Sequence, residues 1–456
     1  MQKVLVANRG EIAVRIIRAC HDLGLQTVAV YSTADKEALH VLHADEAICI
    51  GEAPSNKSYL RIPNILSACE ITGADAVHPG YGFLAENANF ASICQSCGLT
   101  FIGPSPEAIS LLGDKSKAKA TAKRAGVPVI PGSNGAVVDL KVAIHEAEKI
   151  GFPVFIKASA GGGGRGIRIA DNLQQFPKQF AAARAEAEAA FGNPEVYLER
   201  MIVNPRHVEV QVLADKFGNT IHLGERDCSI QRRRQKLIEE SPSPFLNEKL
   251  RAKMGKAAVA AVTAAKYSSA GTVEFLVDKD QNFYFMEVNT RIQVEHTVTE
   301  EWTGVDLIKE QIRIAQGKKL QISQRDITFS GHVMEFRVNA ENPLTNFSPS
   351  PGRLEYYLPP GGPHVRVDSA CYSGYTIPPN YDAMIAKLIV KGKNREEAIA
   401  IAKRALREFH IGGIHTTIGF HLFMLEDPRF LKGEYDIGLI DRLTDKGVKF
   451  SLSHNE

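Results

Sequence analysis

Residues 1–112 alternate short, continuous apolar runs with amphipathic stretches, and few folds accommodate that pattern. Val4-Leu-Val-Ala7, Thr27-Val-Ala-Val-Tyr31 and Ala74-Asp-Ala-Val77 read as buried parallel strands. Between the first two, Ile12, Ile16, Ile17 and Cys20 recur at helical spacing. Strand and helix in alternation predict an open α/β sheet. Gly103-Pro104-Ser-Pro106 marks the exit from it, because proline breaks both helices and ladders.

At 456 residues the chain is too long for one ordinary core, so two or three domains are expected. The first covers 1–112. The second, 113–330, mixes strands, helices and a glycine loop. Within it, 131–203 opens on the turn Pro131-Gly132 and contains a helix rich in Ala and Glu at 176–191, which suggests a mobile subdomain. The last, 331–445, has strands at 332–339 and 384–390. Its helix starts at Asn394 with Glu397 three residues on, a capping-box spacing. Neither internal repeats nor low-complexity tracts occur.

Composition removes several functional classes. The net charge of +2 is far from the strongly basic balance of a nucleic-acid binder. No apolar run approaches the roughly 20 residues that span a bilayer, so no membrane is expected. The first residues, Met1-Gln-Lys-Val-Leu-Val-Ala-Asn-Arg9, reach charge too early for a secretory segment. Seven cysteines without framework spacing suggest reduced thiols in a cytoplasm. Cys94 and Cys97 have CxxC spacing, but no second pair completes a zinc site, and they read as ordinary thiols.

The most conspicuous local signal is Pro153-Val-Phe-Ile-Lys157-Ala-Ser-Ala-Gly161-Gly-Gly-Gly164-Arg-Gly166. Glycines let backbone amides approach phosphate oxygens closely, and Lys157 on the preceding strand brings a point charge. Gly161, Gly163 and Gly166 formally satisfy GxGxxG. The next residues, Ile167-Arg-Ile-Ala170, are β-like, whereas a dinucleotide site requires a helix there. A hairpin loop over phosphates fits; a flexible surface loop is the alternative.

A cation site follows from register. Thr272-Val-Glu274-Phe-Leu-Val277 and Phe283-Tyr-Phe-Met-Glu287-Val-Asn289 flank the turn-rich Asp278-Lys-Asp-Gln-Asn282. A hairpin centred between Asp280 and Gln281 sets Glu274 opposite Glu287, with Asn289 two residues on along the same face. Val273, Phe275 and Val277 then fill the other, apolar face. Opposed carboxylates repel unless a cation lies between them, and two carboxylates with an amide favour Mg²⁺ or Mn²⁺. Solvated glutamates on an exposed sheet are the alternative. Arg291 and Glu295 follow at once, as an anion clamp and a general base or as a structural ion pair.

Two further strands alternate polar and apolar residues. His207, Glu209 and Gln211 share one face, as do Glu335, Arg337 and Asn339. Gln231-Arg-Arg-Arg-Gln-Lys236 is basic, but Glu225, Asp227, Glu239 and Glu240 surround it, which suits a local anion pocket.

These segments resemble the biotin carboxylases. Lys157 with its glycine loop, Glu274, and Glu287-Val-Asn289-Thr-Arg291-Ile-Gln-Val-Glu295-His296 look like that family's ATP-grasp domain. Ala7-Asn-Arg-Gly-Glu-Ile-Ala13, His78-Pro-Gly-Tyr-Gly-Phe-Leu84 and Glu335-Phe-Arg337-Val-Asn-Ala-Glu341 resemble it outside that domain. The likeness runs from residue 1 to about 445. It implies a three-domain α/β and α+β architecture: a Rossmann-like pre-ATP-grasp domain, an ATP-grasp domain with 131–203 as its lid, and a mixed C-terminal domain.

By matching position, Lys115, Lys157, Gly163, Gly164, Glu199, Ile202, His207 and Leu276 would hold ATP. Glu274, Glu287 and Asn289 would bind two Mg²⁺ or Mn²⁺ ions. Lys236, Arg291 and the Val294 backbone would hold bicarbonate, and Glu295 would take its proton. The resulting carboxyphosphate gives CO₂ and a phosphate that deprotonates biotin. Arg337 would stabilise the biotin enolate, with Tyr81 and Gly82 near the ureido ring. The chain departs from the family pattern at Arg234 (histidine there), Arg200 (lysine), Ala85 (serine) and Phe336 (cysteine).

Biotin is carried on a lysine usually flanked by methionines, and no Met-Lys-Met occurs here, so a separate biotin carboxyl carrier protein is the expected partner, with carboxyltransferase subunits downstream. The family also implies a homodimer. The expected reaction is the first half of acetyl-CoA carboxylase, in fatty acid synthesis; pyruvate or propionyl-CoA carboxylases, or another ATP-grasp ligase, are the alternatives.

Overall fold

The computed structural model describes residues 1–159 and 167–450. The N-terminal alternation builds a sheet of β1 (Lys3–Val6), β2 (Gln26–Ser32), β3 (Glu46–Gly51), β4 (Ala76–His78) and β5 (Thr100–Phe101) in the order β3-β2-β1-β4-β5. Every pairing in it is parallel. The helix Gly10–Asp22 connects β1 to β2 and buries Ile12, Ile16, Ile17 and Cys20, the four positions picked out by spacing. β3 escaped the sequence because it is an edge strand, largely exposed and without a continuous apolar run.

The chain divides into two compact units, one of Met1–Val127, Arg206–Phe275 and Glu287–Glu456, the other of Pro128–Pro205 and Leu276–Met286. In the second unit, β6 (Val154–Ala158), β7 (Ile167–Ala170) and β8 (Val196–Arg200) form an antiparallel sheet in the order β7-β6-β8. Leu140–Ile150 and Phe176–Phe191 are its helices, and Ile156, Phe176, Phe180, Ala183 and Leu198 lie in its core. Lys157 pairs with Ile167, so the strands around the glycine segment are a hairpin; Gly161, Gly163, Gly164 and Gly166 themselves lie outside the described residues. Leu276–Met286 joins this unit where Phe285 N donates to the Pro128 carbonyl at 2.8 Å.

The larger unit is organised by an eight-stranded sheet. Its strands are β9 (Arg206–Ala214), β10 (Thr220–Arg232), β11 (Gln235–Ser241), β12 (Ser269–Val277), β13 (Phe283–Asn289), β14 (His332–Asn339), β15 (Val365–Ser369) and β16 (Met384–Gly392), ordered β13-β12-β9-β10-β11-β14-β16-β15. β9, β10, β11, β14, β16 and β15 pair antiparallel in turn. One core packs β1 and the helix Gly10–Asp22 against Leu213, Leu223, Ile292 and Ile308. A second fills the space between β11, β14, β16 and the helix Arg395–Glu408. Phe336, a departure from the family pattern, is wholly buried in that second core, edge-on to His421.

Two local expectations are corrected. Asn394 caps its helix through Glu397 N at 2.9 Å, but Glu397 reaches back to Lys393 N and not to Asn394 N, leaving half of a capping box. In the β12–β13 connection, Asp278 N donates to Asn282 O at 2.9 Å and Gln281 N to Asp278 O at 3.1 Å. Gln281 is left-handed, with φ 61°. A three-residue turn with an αL residue therefore replaces the assumed two-residue turn, and the register at the turn is one residue from that expected.

Candidate active site

The site grows from the larger sheet, whose neighbouring strands contribute its functional side chains. Lys236 on β11 extends its Nζ to Glu295 Oε1 at 2.5 Å, Glu209 Oε2 at 2.6 Å and Glu274 Oε1 at 3.1 Å. Glu209 comes from β9 and Glu274 from β12. Glu295 stands just before the helix His296–Thr303, at its N-cap, yet makes no capping bond with its side chain. Its carboxylate is thereby left for cations. Arg337 on β14 donates to Glu295 Oε2 at 2.9 Å and to Glu239 Oε1 at 2.6 Å.

Burial opposes ionisation of Glu295, but Lys236, Arg337 and Arg226 outweigh it and hold its carboxyl well below the ordinary carboxylate range. Glu274 is depressed likewise, burial being overcome by Lys236 and His207. Burial would also discharge Lys236, and the same carboxylates keep it protonated. Glu239, more deeply desolvated than its pairing with Arg337 repays, is pushed up to about 7.

Arg226 on β10 is the frame behind these groups. Its guanidinium is wholly buried and donates to Glu209 at 2.6 Å, Gln211 at 2.7 Å, Thr299 at 2.8 Å, Thr272 at 3.1 Å and Gln293 at 2.7 Å. Gln293 in turn donates to Glu274 Oε1 at 2.9 Å. A buried guanidinium with its donors satisfied fixes several side chains at once.

Of the three expected cation ligands, two touch. Asn289 Nδ2 donates to Glu274 Oε1 at 2.8 Å, and its Oδ1 accepts from Arg291 at 3.0 Å. Glu287, a third exposed, pairs with Lys115 at 2.9 Å. The carboxylates of Glu274 and Glu287 thus have different partners. Donor atoms of His207, Glu209 and Glu274 lie within 4.8 Å of one another. His207 Nε2 is 2.9 Å from Glu274 Oε2. Hard oxygen donors gathered in this way suit Mg²⁺ or Mn²⁺, provided the Asn289 amide turns its oxygen toward Glu274.

Tyr81 and Gly82 belong to a loop clamped by Asn8, whose Nδ2 donates to the carbonyls of Pro79 and Tyr81, both at 2.7 Å. Gly80 sits at φ +61°, and a Cβ there would come within 2.9 Å of that amide. The Tyr81 hydroxyl donates to Glu11. In the second unit, Lys157 pairs with Glu199 and Ile202 is buried; Leu276 is the penultimate residue of β12. Arg291 Nε bonds Glu86 Oε2 at 3.0 Å, and the same carboxylate accepts from Thr290 N at 3.0 Å.

Glu209, Arg226, Gln293, Glu239, Glu86 and Glu11 were not singled out as site residues. Glu209 carried a signal, its alternation with His207. Arg226 carried none, since its partners lie 15 to 73 residues away. Arg234 is at the exposed tip of the β10–β11 turn, where Arg233 and Arg234 have φ 48° and 68°, the left-handed pair of a two-residue hairpin.

Comparison with known proteins gives this geometry a lineage. Residues 114–323 match the family model described as "Carbamoyl-phosphate synthase L chain, ATP binding domain", and the chain is an ATP-dependent ligase. Residues 1–109 match "Biotin carboxylase, N-terminal domain" and residues 335–442 "Biotin carboxylase C-terminal domain". It is 59% identical over 442 residues to biotin carboxylase 1 of Bacillus subtilis (strain 168), covering 97% of this chain and 98% of that one. The chain belongs to the biotin carboxylase family.

Two solved structures extend the likeness. One is the biotin carboxylase–beta-gamma-ATP complex from Campylobacter jejuni, 51% identical with a TM-score of 0.88, over 97% of this chain and 98% of that chain. The other is the biotin carboxylase domain dimer of Hydrogenobacter thermophilus 2-oxoglutarate carboxylase, in complex with MgADP, ADP and bicarbonate. It is 49% identical with a TM-score of 0.88, over 99% of each chain.

Proposed function

We propose that this chain uses ATP and bicarbonate to carboxylate biotin on a separate biotin carboxyl carrier protein, the first half-reaction of acetyl-CoA carboxylase in fatty acid synthesis. The observation that carries this is Glu295 between Lys236 and Arg337, 2.5 and 2.9 Å from them. A carboxylate so held is ionised, and bicarbonate, itself an anion, competes for the same cations. Lys236, Arg291 and the Val294 backbone take the bicarbonate; Glu295, released from Lys236, accepts its proton. The bicarbonate oxygen attacks the γ-phosphorus of ATP, the bond to ADP breaks, and carboxyphosphate forms. Its breakdown yields CO₂ and a phosphate that removes the biotin N1′ proton. Arg337 offers its guanidinium to the enolate oxygen, and Tyr81 and Gly82 border the ureido ring.

Glu274, Glu287 and Asn289 are assigned to two Mg²⁺ or Mn²⁺ ions, which would neutralise phosphate charge. The ATP assignments at Lys115, Lys157, Gly163, Gly164, Glu199, Ile202, His207 and Leu276 belong to the same proposal, as does the division at 1–112, 113–330 and 331–445. Among the described residues no helix is long and apolar enough to cross a membrane. A cytoplasmic homodimer acting with carboxyltransferase subunits fits the bacterial relatives.

Labelled bicarbonate tests the proposal: its carbon should appear on free biotin slowly and on a biotinylated carrier domain faster, in both cases only with ATP. Phosphate release indifferent to bicarbonate and biotin would contradict it.

A further inference from the structure

One buried cation near Arg337 is not used by the chemistry above. Lys387 on β16 is directly opposite Arg337 in the β14–β16 register, and antiparallel partners share a sheet face. Its side chain has no solvent exposure. The Nζ donates to the Val294 carbonyl at 2.9 Å and lies 3.2 Å from Glu11 Oε1. That same Glu11 oxygen accepts the Tyr81 hydroxyl, while Glu11 Oε2 is buried with no hydrogen-bond partner. One carboxylate oxygen therefore joins the loop assigned to biotin to an ammonium that grips the peptide leading into Glu295.

We infer that Lys387 is a positioning residue that couples the two ends of the site: it fixes the Val294–Glu295 peptide for bicarbonate and, through Glu11, ties that peptide to Tyr81. The inference rests on the roles proposed above for Val294, Glu295 and Tyr81. The Val294 carbonyl forms the peptide bond to Glu295, so holding it limits rotation on the N-terminal side of the base. An anion needs donors, and with its carbonyl committed to Lys387, Val294 presents only its N–H to one. A shift of a fraction of an ångström at such a contact is felt strongly in turnover. Burial opposes the charge on Lys387, and Glu11 foremost, with Asp368 on the neighbouring strand, keeps the ammonium protonated. A purely charge-balancing lysine would need neither the carbonyl contact nor a shared oxygen with Tyr81.

The test is steady-state kinetics on the full chain with free biotin. Wild-type turnover must depend on bicarbonate; if it does not, the proposed function itself has failed. Given that dependence, Lys387→Met combined with Glu11→Gln removes the pair without leaving a lone buried charge. The expected result is a rise of about tenfold or more in KM for bicarbonate, with KM for ATP within twofold. An unchanged KM for bicarbonate, or a parallel rise for both substrates, would overturn the inference. Should the double variant not fold, Glu11→Gln alone decides. Coupling predicts that KM rises several-fold for both biotin and bicarbonate, and a change confined to biotin, or none, overturns it.

Discussion

Lys236 and Glu295 meet at 2.5 Å, and the same ammonium also binds Glu209 and Glu274. One lysine bridges three buried carboxylates, so the site is primed to exchange a protein carboxylate for a substrate anion. Lys236→Met leaves those carboxylates facing one another. It is expected to lower the unfolding free energy by about 3–5 kcal/mol, as broken buried pairs do. Because a divalent ion can replace the missing charge at Glu274, added Mg²⁺ should raise the melting temperature of the variant more than that of the wild type. Thermal unfolding with and without Mg²⁺ checks this; equal shifts would contradict it.

Arg337 spans Glu239 and Glu295 and is assigned to the biotin enolate. Arg337→Met should lower biotin-dependent turnover by about 10²–10³-fold, the usual loss when a donor to a developing oxyanion is removed. ATP cleavage measured without biotin should change far less. Equal losses in both assays would move Arg337 out of the biotin half of the reaction.

Arg226 never reaches the proposed substrates, yet it holds Glu209 and Gln293, which contact Lys236 and Glu274. Arg226→Met leaves buried Glu209 with Lys236 as its one remaining ion-pair partner and should destabilise the fold by about 3–5 kcal/mol. Urea denaturation reads the change directly. A loss below about 1 kcal/mol would mean that water replaces the guanidinium.

A separate buried ion pair sets acid stability. Glu240 accepts from His332 at 2.6 Å and from Arg395 at 2.8 and 3.0 Å, and also takes the Tyr435 hydroxyl. Burial would raise its pKa, but Arg395 and His332 hold it far below the ordinary range. A depressed carboxylate contributes stability that is complete above the unfolded pKa, about 4.3, and fades as pH falls toward the folded value. Glu240→Gln should therefore be less stable than wild type at pH 7, with the gap narrowing below about pH 4.3. A gap independent of pH would contradict this.

Much of the fold was written in local pattern. Ile12, Ile16, Ile17 and Cys20 announced their helix, and the β-like Ile167-Arg-Ile-Ala170 announced a hairpin, because helix and strand periods are local properties. The strand that places Glu335 and Arg337 was legible for the same reason. Pairings across the chain were not. Glu209 and Glu274, from strands ordered by topology, and Glu295, from the helix N-cap beyond β13, converge on Lys236, and nothing local in the sequence reveals that convergence. The turn at Asp278 differs from the assumed two-residue form because Gln281 adopts a left-handed conformation that its side chain does not advertise. Glu287, expected to share a cation with Glu274, pairs with Lys115 here.

The most direct test is Glu295→Gln, which keeps the shape and removes the proton acceptor. Nucleotide binding, followed by a fluorescent ATP analogue, should stay within about threefold of wild type, while bicarbonate-dependent ATP cleavage falls by about 10²–10⁴-fold, the range for losing a general base. Wild-type-like cleavage in that variant would show that Glu295 takes no proton, and the assignment of chemistry to the Lys236–Glu295–Arg337 cluster would be wrong.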